Sequence, residues 1–155
     1  MKAKEVLDAV RKLHCGEFSR GDTWVCFEEF RIEAGFGYIA EKRIDLFAMH
    51  CHPSKKLERV AYEVKISRTD FTRELQKPTK RWAGFMFSNR FYFAAPAGLI
   101  KPKEVPTECG LVEVHDDGNV IIKIKAPWRE SALPTWPFVA MVARRAFRRE
   151  VKGKR

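Results

Sequence analysis

The chain has 155 residues, with 30 Lys and Arg against 20 Asp and Glu, a formal net charge of +10 and a pI near 9.7. That length fits one domain, which buries roughly two thirds of the surface its unfolded form exposes. With 32% charged residues and no apolar run near the ~20 needed to span a bilayer, the composition argues against a membrane protein, and the basic excess suits a polyanion, since each Lys or Arg meeting a phosphate releases condensed counterions.

Residues 1–8 mix charges every few positions and lack the apolar core of a secretory signal, so a cytoplasmic protein of a bacterial cell or phage-infected host is expected. Residues 4–14 place Val6, Leu7, Val10 and Leu13 on one side of an amphipathic helix that Gly16 stops. A second helix is predicted from Asp22 or Thr23 through Trp24, Val25, Phe27, Glu28, Glu29, Phe30 and Ile32 toward Gly35. Gly35 and Gly37 open a turn, and a short strand follows at 38–40.

Residues 43–50 read as a strand, 52–56 as a polar turn, and 59–66 as a strand rich in Val, Ile and Tyr. Ser67 and Asp70 offer a helix-capping pattern, and the helix runs through Phe71 and Leu75 until Pro78 bends or restarts it. Residues 90–96 are apolar enough to need cover on both faces. A loop at 101–107 leads to a hairpin at 110–125, turned around Asp116, Asp117, Gly118 and Asn119. A basic helix closes the chain at 137–155, with Arg144, Arg145, Arg148 and Arg149 beside an apolar stripe.

This order predicts an α/β fold with a mixed central β-sheet flanked by helices. The strands at 43–50 and 59–66 should be antiparallel, and the strand at 90–96, reached by a helical crossover, parallel to its predecessor. Cys15, Cys26, Cys51 and Cys109 form no Cys-x-x-Cys pair, which signals neither a disulfide framework nor a zinc ribbon. His50, Cys51 and His52 are a weak zinc set, because neighbouring strand residues point to opposite faces and Pro53 ends the element.

Charges interrupt two apolar strands at Asp45, Glu63 and Lys65. Burying such groups without partners costs several kcal/mol, so they should cluster or bind a metal. Two carboxylates about 4 Å apart repel by about 4 kcal/mol at an effective dielectric of ~20. A divalent cation compensates, and carboxylate oxygens favour a hard ion, Mg²⁺ or Mn²⁺, with positions left for water and phosphate. Lys65 is then placed to orient or deprotonate the attacking water and to balance charge on the phosphorane.

Asp45, Glu63-Val64-Lys65 eighteen positions on, and the surrounding order of elements resemble the core of the PD-(D/E)XK nuclease superfamily. The stretch at 62–71, the basic helix after it and the strand at 91–96 are also similar to MmcB-type DNA-repair proteins and their phage relatives. The resemblance implies a single nuclease-like domain over 1–155, its restriction-endonuclease-like core at about 22–100. It implies a Mg²⁺- or Mn²⁺-dependent deoxyribonuclease acting in DNA repair or recombination. Asp45 and Glu63 would ligate the ion with the Val64 carbonyl, and Lys65 would be the catalytic lysine. A further acid on the preceding helix matches Glu28 or Glu29, with Glu29 preferred, and Gln76 and Lys80 are candidates to touch the scissile phosphate or the water.

Plainer accounts stand beside these. Asp45 pairs with Arg43 or Lys42 at a strand end, or Glu63 with Lys65 on an exposed sheet face, worth ~0–1 kcal/mol. Arg68, Arg73, Lys77, Lys80 and Arg81 are either DNA contacts or the solvated side of a helix. The basic tail is either a nucleic-acid contact or a solvated helix end whose charges complement the dipole. Trp82, Phe85 and Phe87 are expected in the core rather than as a base-stacking platform. DNA is the expected partner, as substrate of the nuclease or as ligand of a non-catalytic accessory module, and homo-oligomerisation is left open.

Overall fold

The computed structural model describes residues 1–15, 23–32, 42–131 and 135–153, with the side chains of 42, 83 and 149–153 set aside. The predicted turn at Gly35 and Gly37, the strand at 38–40 and the side chain of Arg149 lie outside the described residues. Among those described, six strands form one sheet in the order of the chain: β1 (Trp24–Ile32), β2 (Lys42–His50), β3 (Arg59–Val64), β4 (Arg90–Pro96), β5 (Gly110–Val114) and β6 (Val120–Ile124). β1, β2 and β3 are antiparallel, β4 and β5 follow parallel to β3, and β6 turns back antiparallel on β5. The sheet is therefore mixed, as predicted.

The helices are α1 (Ala3–Cys15), α2 (Arg68–Leu75), α3 (Trp82–Phe87) and α4 (Trp136–Gly153). Pro78 does restart the chain after α2, through a 3-10 turn at Pro78–Arg81. None of the described helices is long and apolar enough to cross a membrane.

One predicted helix is corrected. Residues 24–32 form β1, hydrogen-bonded along β2. The misreading has a physical cause at Glu29, whose φ of 48° puts a non-glycine residue in the left-handed region. The strand's alternation breaks there, so Phe27 and Phe30 both pack into the same core cluster. Their three-residue spacing imitates a helix face.

Two apolar layers sandwich the sheet. On one face α1 sends Val6, Ala9 and Val10 against Cys26, Leu46, Ala48, Tyr62, Tyr92, Ala94 and Val112. On the other, Phe71 of α2, Phe87 of α3 and Phe138 and Met141 of α4 meet Phe27, Phe30, Phe47, Ala61, Phe91, Phe93 and Leu111. Phe138 stacks on Phe87 at 5.2 Å and meets Phe30 and Phe47 edge-on. Residues of β4 alternate between the two layers, which explains why 91–95 are apolar without interruption. Trp82, expected in the core, is instead 65% exposed, while Phe85 packs edge-on to Phe91 and Phe87 is buried.

Candidate active site where β2 and β3 part

The last paired residues of β2 and β3 are Leu46 and Tyr62, and one further step of the same register sets Asp45 opposite Glu63. There the backbone ladder stops and a side chain takes over. The Val64 N–H donates to Asp45 Oδ2 at 2.9 Å, so the carboxylate satisfies a backbone donor that the departing strand leaves behind. The Lys65 N–H, one residue on, donates to the Ala94 carbonyl, which holds the Glu-Val-Lys segment to β4.

Glu63 and Lys65 lie on the face covered by α2, as the two-residue period of a strand requires. Lys65 Nζ donates to Glu63 Oε1 at 2.9 Å and to Glu74 Oε2 at 3.4 Å, and approaches Asp70 Oδ2 at 3.5 Å. Both acids from α2 sit on the helix side turned to the sheet, one turn apart. Ser67 fixes where that helix begins, its hydroxyl accepting the Asp70 N–H at 3.2 Å.

The electrostatics follow from crowding and burial. Burial first, then the neighbouring Asp45 charge, pushes the Glu63 carboxyl up to about 7, and Lys65 recovers only part of that shift. Burial also raises Asp45, against the opposing pull of the Val64 N–H and of Arg43. For Lys65, burial works to lower the ammonium, but Glu63, Glu74 and Asp70 outweigh it and leave the group raised. The lysine is therefore protonated throughout the neutral range. Its positive charge is met by the three acids.

The carboxylates of Glu29, Asp45 and Glu63 form a row across three strands, since Glu29 stands opposite Asp45 in the β1–β2 register. Glu29 is 60% exposed, and Arg43 bridges it to Asp45 at 3.4 and 3.7 Å. Among the described residues, no three His, Cys, Asp or Glu side chains are grouped so as to hold a metal on their own. Two carboxylates that repel each other, each raised by burial, do suit a hydrated hard ion, which takes one or two protein carboxylates and keeps several waters.

Other candidates fall elsewhere. Arg68 makes a two-pronged ion pair with Glu104, at 2.7 and 2.8 Å, and donates to the Leu99 carbonyl. Arg81 is buried, donating to the Glu74 carbonyl at 3.1 Å and lying over the Phe93 ring. Both guanidiniums act within the fold. Arg73 and Gln76 are exposed on α2 and at its C-cap, and Lys80 reaches Glu74 at 3.7 Å from an exposed position. Arg144, Arg145 and Arg148 line a cleft with Phe30, Arg31 and Met141.

Glu74 is the residue that sequence reasoning missed, although it is 2% exposed and contacts the lysine. A signal existed: it lies three residues from the buried Phe71 and four from Asp70, which places it on the helix's inner side.

No family model matches the chain, and no curated protein matches it. Among solved structures it is similar to a protein of unknown function from Silicibacter pomeroyi, with a TM-score of 0.62 and 22% identity over 98% of this chain and 89% of that one. The likeness is one of fold: the mixed sheet and its flanking helices recur at nearly full length.

Proposed function

We propose that the protein is a Mg²⁺- or Mn²⁺-dependent deoxyribonuclease of the PD-(D/E)XK kind, hydrolysing DNA phosphodiesters in repair or recombination. One observation carries this reading: a buried, protonated lysine stands beside two mutually repelling carboxylates where the pairing of β2 and β3 stops. Asp45 and Glu63, with the Val64 carbonyl, are the groups that would hold the ion. Bound there, the ion supplies Lewis-acid polarisation of a phosphoryl oxygen and a more acidic water. Lys65 brings a fixed positive charge to the side on which negative charge grows during in-line attack. Glu63, Glu74 and Asp70 hold its ammonium in one place, so little reorganisation is needed when the charge develops.

The test is cleavage of plasmid, linear duplex, single-stranded and structured DNA with Mg²⁺ or Mn²⁺, comparing wild type with Asp45→Ala and Lys65→Ala. Loss of cleavage in both variants is expected. Wild type that cuts none of these substrates and binds neither ion sinks the catalytic reading.

A second reading keeps the fold as a non-catalytic DNA-binding module. The observation behind it is that Lys65 already has three carboxylate partners, an arrangement sufficient as a structural ion cluster. Retained DNA affinity in Glu63→Ala, together with an inert wild type, selects it.

A further inference from the structure

The cleft between β1 and α4 is bordered by Arg31, Arg144, Arg145 and Arg148 over a floor of Phe30 and Met141, both buried. Four guanidiniums around one small cleft repel one another, and the fold spends contacts on keeping one of them in place. Arg145 donates to the Glu28 carbonyl at 2.7 Å and to the Glu29 carbonyl at 3.4 Å. Guanidinium is the side chain best shaped to grip a phosphate with paired N–H donors.

Its position relates it to the candidate active site. Arg145 holds the backbone of Glu29, the residue opposite Asp45, and Arg43 ties the Glu29 and Asp45 carboxylates together. α4 packs on the same sheet face as α2, the helix that supplies Asp70 and Glu74. Glu29 and Glu63 are separated by two strand spacings, about 10 Å. The arginines thus stand beside the acidic row and beyond its β1 end.

We infer that this arginine cleft seats a backbone phosphate of the DNA strand whose scissile phosphate lies at Asp45 and Glu63, so that β1 and α4 set the path of the strand across the sheet. This rests on the proposed nuclease reading and adds to it a second, non-reacting contact. An acidic protein would meet the same charge. The continuity with a site for phosphodiester chemistry favours the phosphate of a nucleic acid.

The experiment measures binding of fluorescent single-stranded and duplex oligonucleotides by anisotropy in EDTA, from 50 to 200 mM salt, so that cleavage plays no part. Arg31→Gln/Arg148→Gln removes two charges from exposed positions of the cleft, and Lys2→Gln/Lys12→Gln removes two from exposed positions on α1 or just before it. The cleft variant should lose about tenfold or more in affinity, with the salt slope smaller by about 1–2, while the α1 variant changes little. Equal losses in the two variants overturn the inference in favour of net charge. So does an unchanged cleft variant, and if wild type still cuts DNA the nuclease reading survives. Inorganic phosphate that competes at the concentration of oligonucleotide phosphate also overturns it, in favour of a free-anion site. Arg148→Lys, which keeps the charge and loses the fork, should fall between wild type and the double variant if the grip is two-pronged.

Discussion

Tyr62 and Glu63 are neighbours in β3, yet the two faces of the sheet treat buried titratable groups in opposite ways. Under α1, His14 Nε2 meets the Tyr62 hydroxyl at 2.7 Å, and the Tyr62 ring stacks on Tyr92 at 5.5 Å. Burial pushes His14 down to about 4 and the Tyr62 phenol up, so both are neutral at neutral pH. On the other face Lys65 stays charged among three acids, and Glu63 is left near the middle of the pH range. An apolar layer that closes over a polar pair discharges it. Where β2 and β3 part, Lys65 and Glu74 are at least as buried, 4% and 2% exposed, but there the lysine is paired with three acids, and the charge persists. Groups poised to change protonation or accept a cation are what the proposed function requires, whereas a neutral satisfied pair serves packing.

The largest expected effect comes from breaking the charged face. Lys65→Met leaves Glu74, 2% exposed, with the outlying Lys80 at 3.7 Å as its remaining ion-pair partner among the described residues. Removing one member of a buried ion cluster costs about 3–5 kcal/mol, to be read from urea unfolding at pH 7.5. Lys65→Met/Glu74→Gln should recover most of that stability. If Lys65 is catalytic, the double variant stays inactive although it is folded. Recovery of both stability and cleavage would reduce the lysine to a structural counter-ion.

The neutral face is broken by acid. The fold holds His14 near 4 and the unfolded chain holds it near 6.5, so below 6.5 protons favour unfolding. Stability from this residue is complete above pH 6.5 and is lost as pH falls toward 4, by about 3 kcal/mol in all. Urea unfolding of wild type and His14→Gln at pH 7.5 and 4.5 isolates the contribution as the difference between their pH slopes. Identical slopes would show that another group drives the acid response.

Glu63 behaves in the reverse sense and sharpens the contrast. Its carboxyl is raised from 4.5 to about 7 in the fold, so the folded state holds the extra proton and stability falls as pH rises through that window. Glu63→Gln should therefore stabilise the protein by about 3 kcal/mol at pH 8 and leave it unchanged at pH 4. Thermal unfolding with and without Mg²⁺ adds a second readout. An ion that binds the native state raises the wild-type Tm, and the gain should shrink in Glu63→Gln.

Legibility in the sequence tracked the same division. Strands β2, β3 and β4, the Ser67 cap, the restart at Pro78 and the hairpin of β5 and β6 follow local rules, and each stood where those rules put it. The pairing of Asp45, Glu63 and Lys65 was legible because strand alternation and a short antiparallel connection suffice to bring them together. β1 was not legible, since the left-handed Glu29 erases the two-residue period from which a strand is recognised. Arg68 and Arg81 look alike on a helix diagram. Only the tertiary fold reveals that one meets Glu104 and the other lies buried under Glu74.

The smallest effect tests how far the charged face depends on the start of α2. Ser67 caps the helix from an exposed position, its hydroxyl accepting the Asp70 N–H. Ser67→Ala removes one hydrogen bond at a helix end that water can partly replace, so the cost should be about 1 kcal/mol, or a Tm lower by about 2–4 °C. Asp70 and Glu74 are also tethered through Lys65, and Phe71 is buried between them in the chain. Their hold on the lysine should therefore survive loss of the cap, and under the proposed nuclease function cleavage by Ser67→Ala should stay within about twofold of wild type at 25 °C, where little of the chain is unfolded. A large drop in cleavage with the expected small drop in Tm would mean that the cap, rather than the ion cluster, sets the position of the lysine.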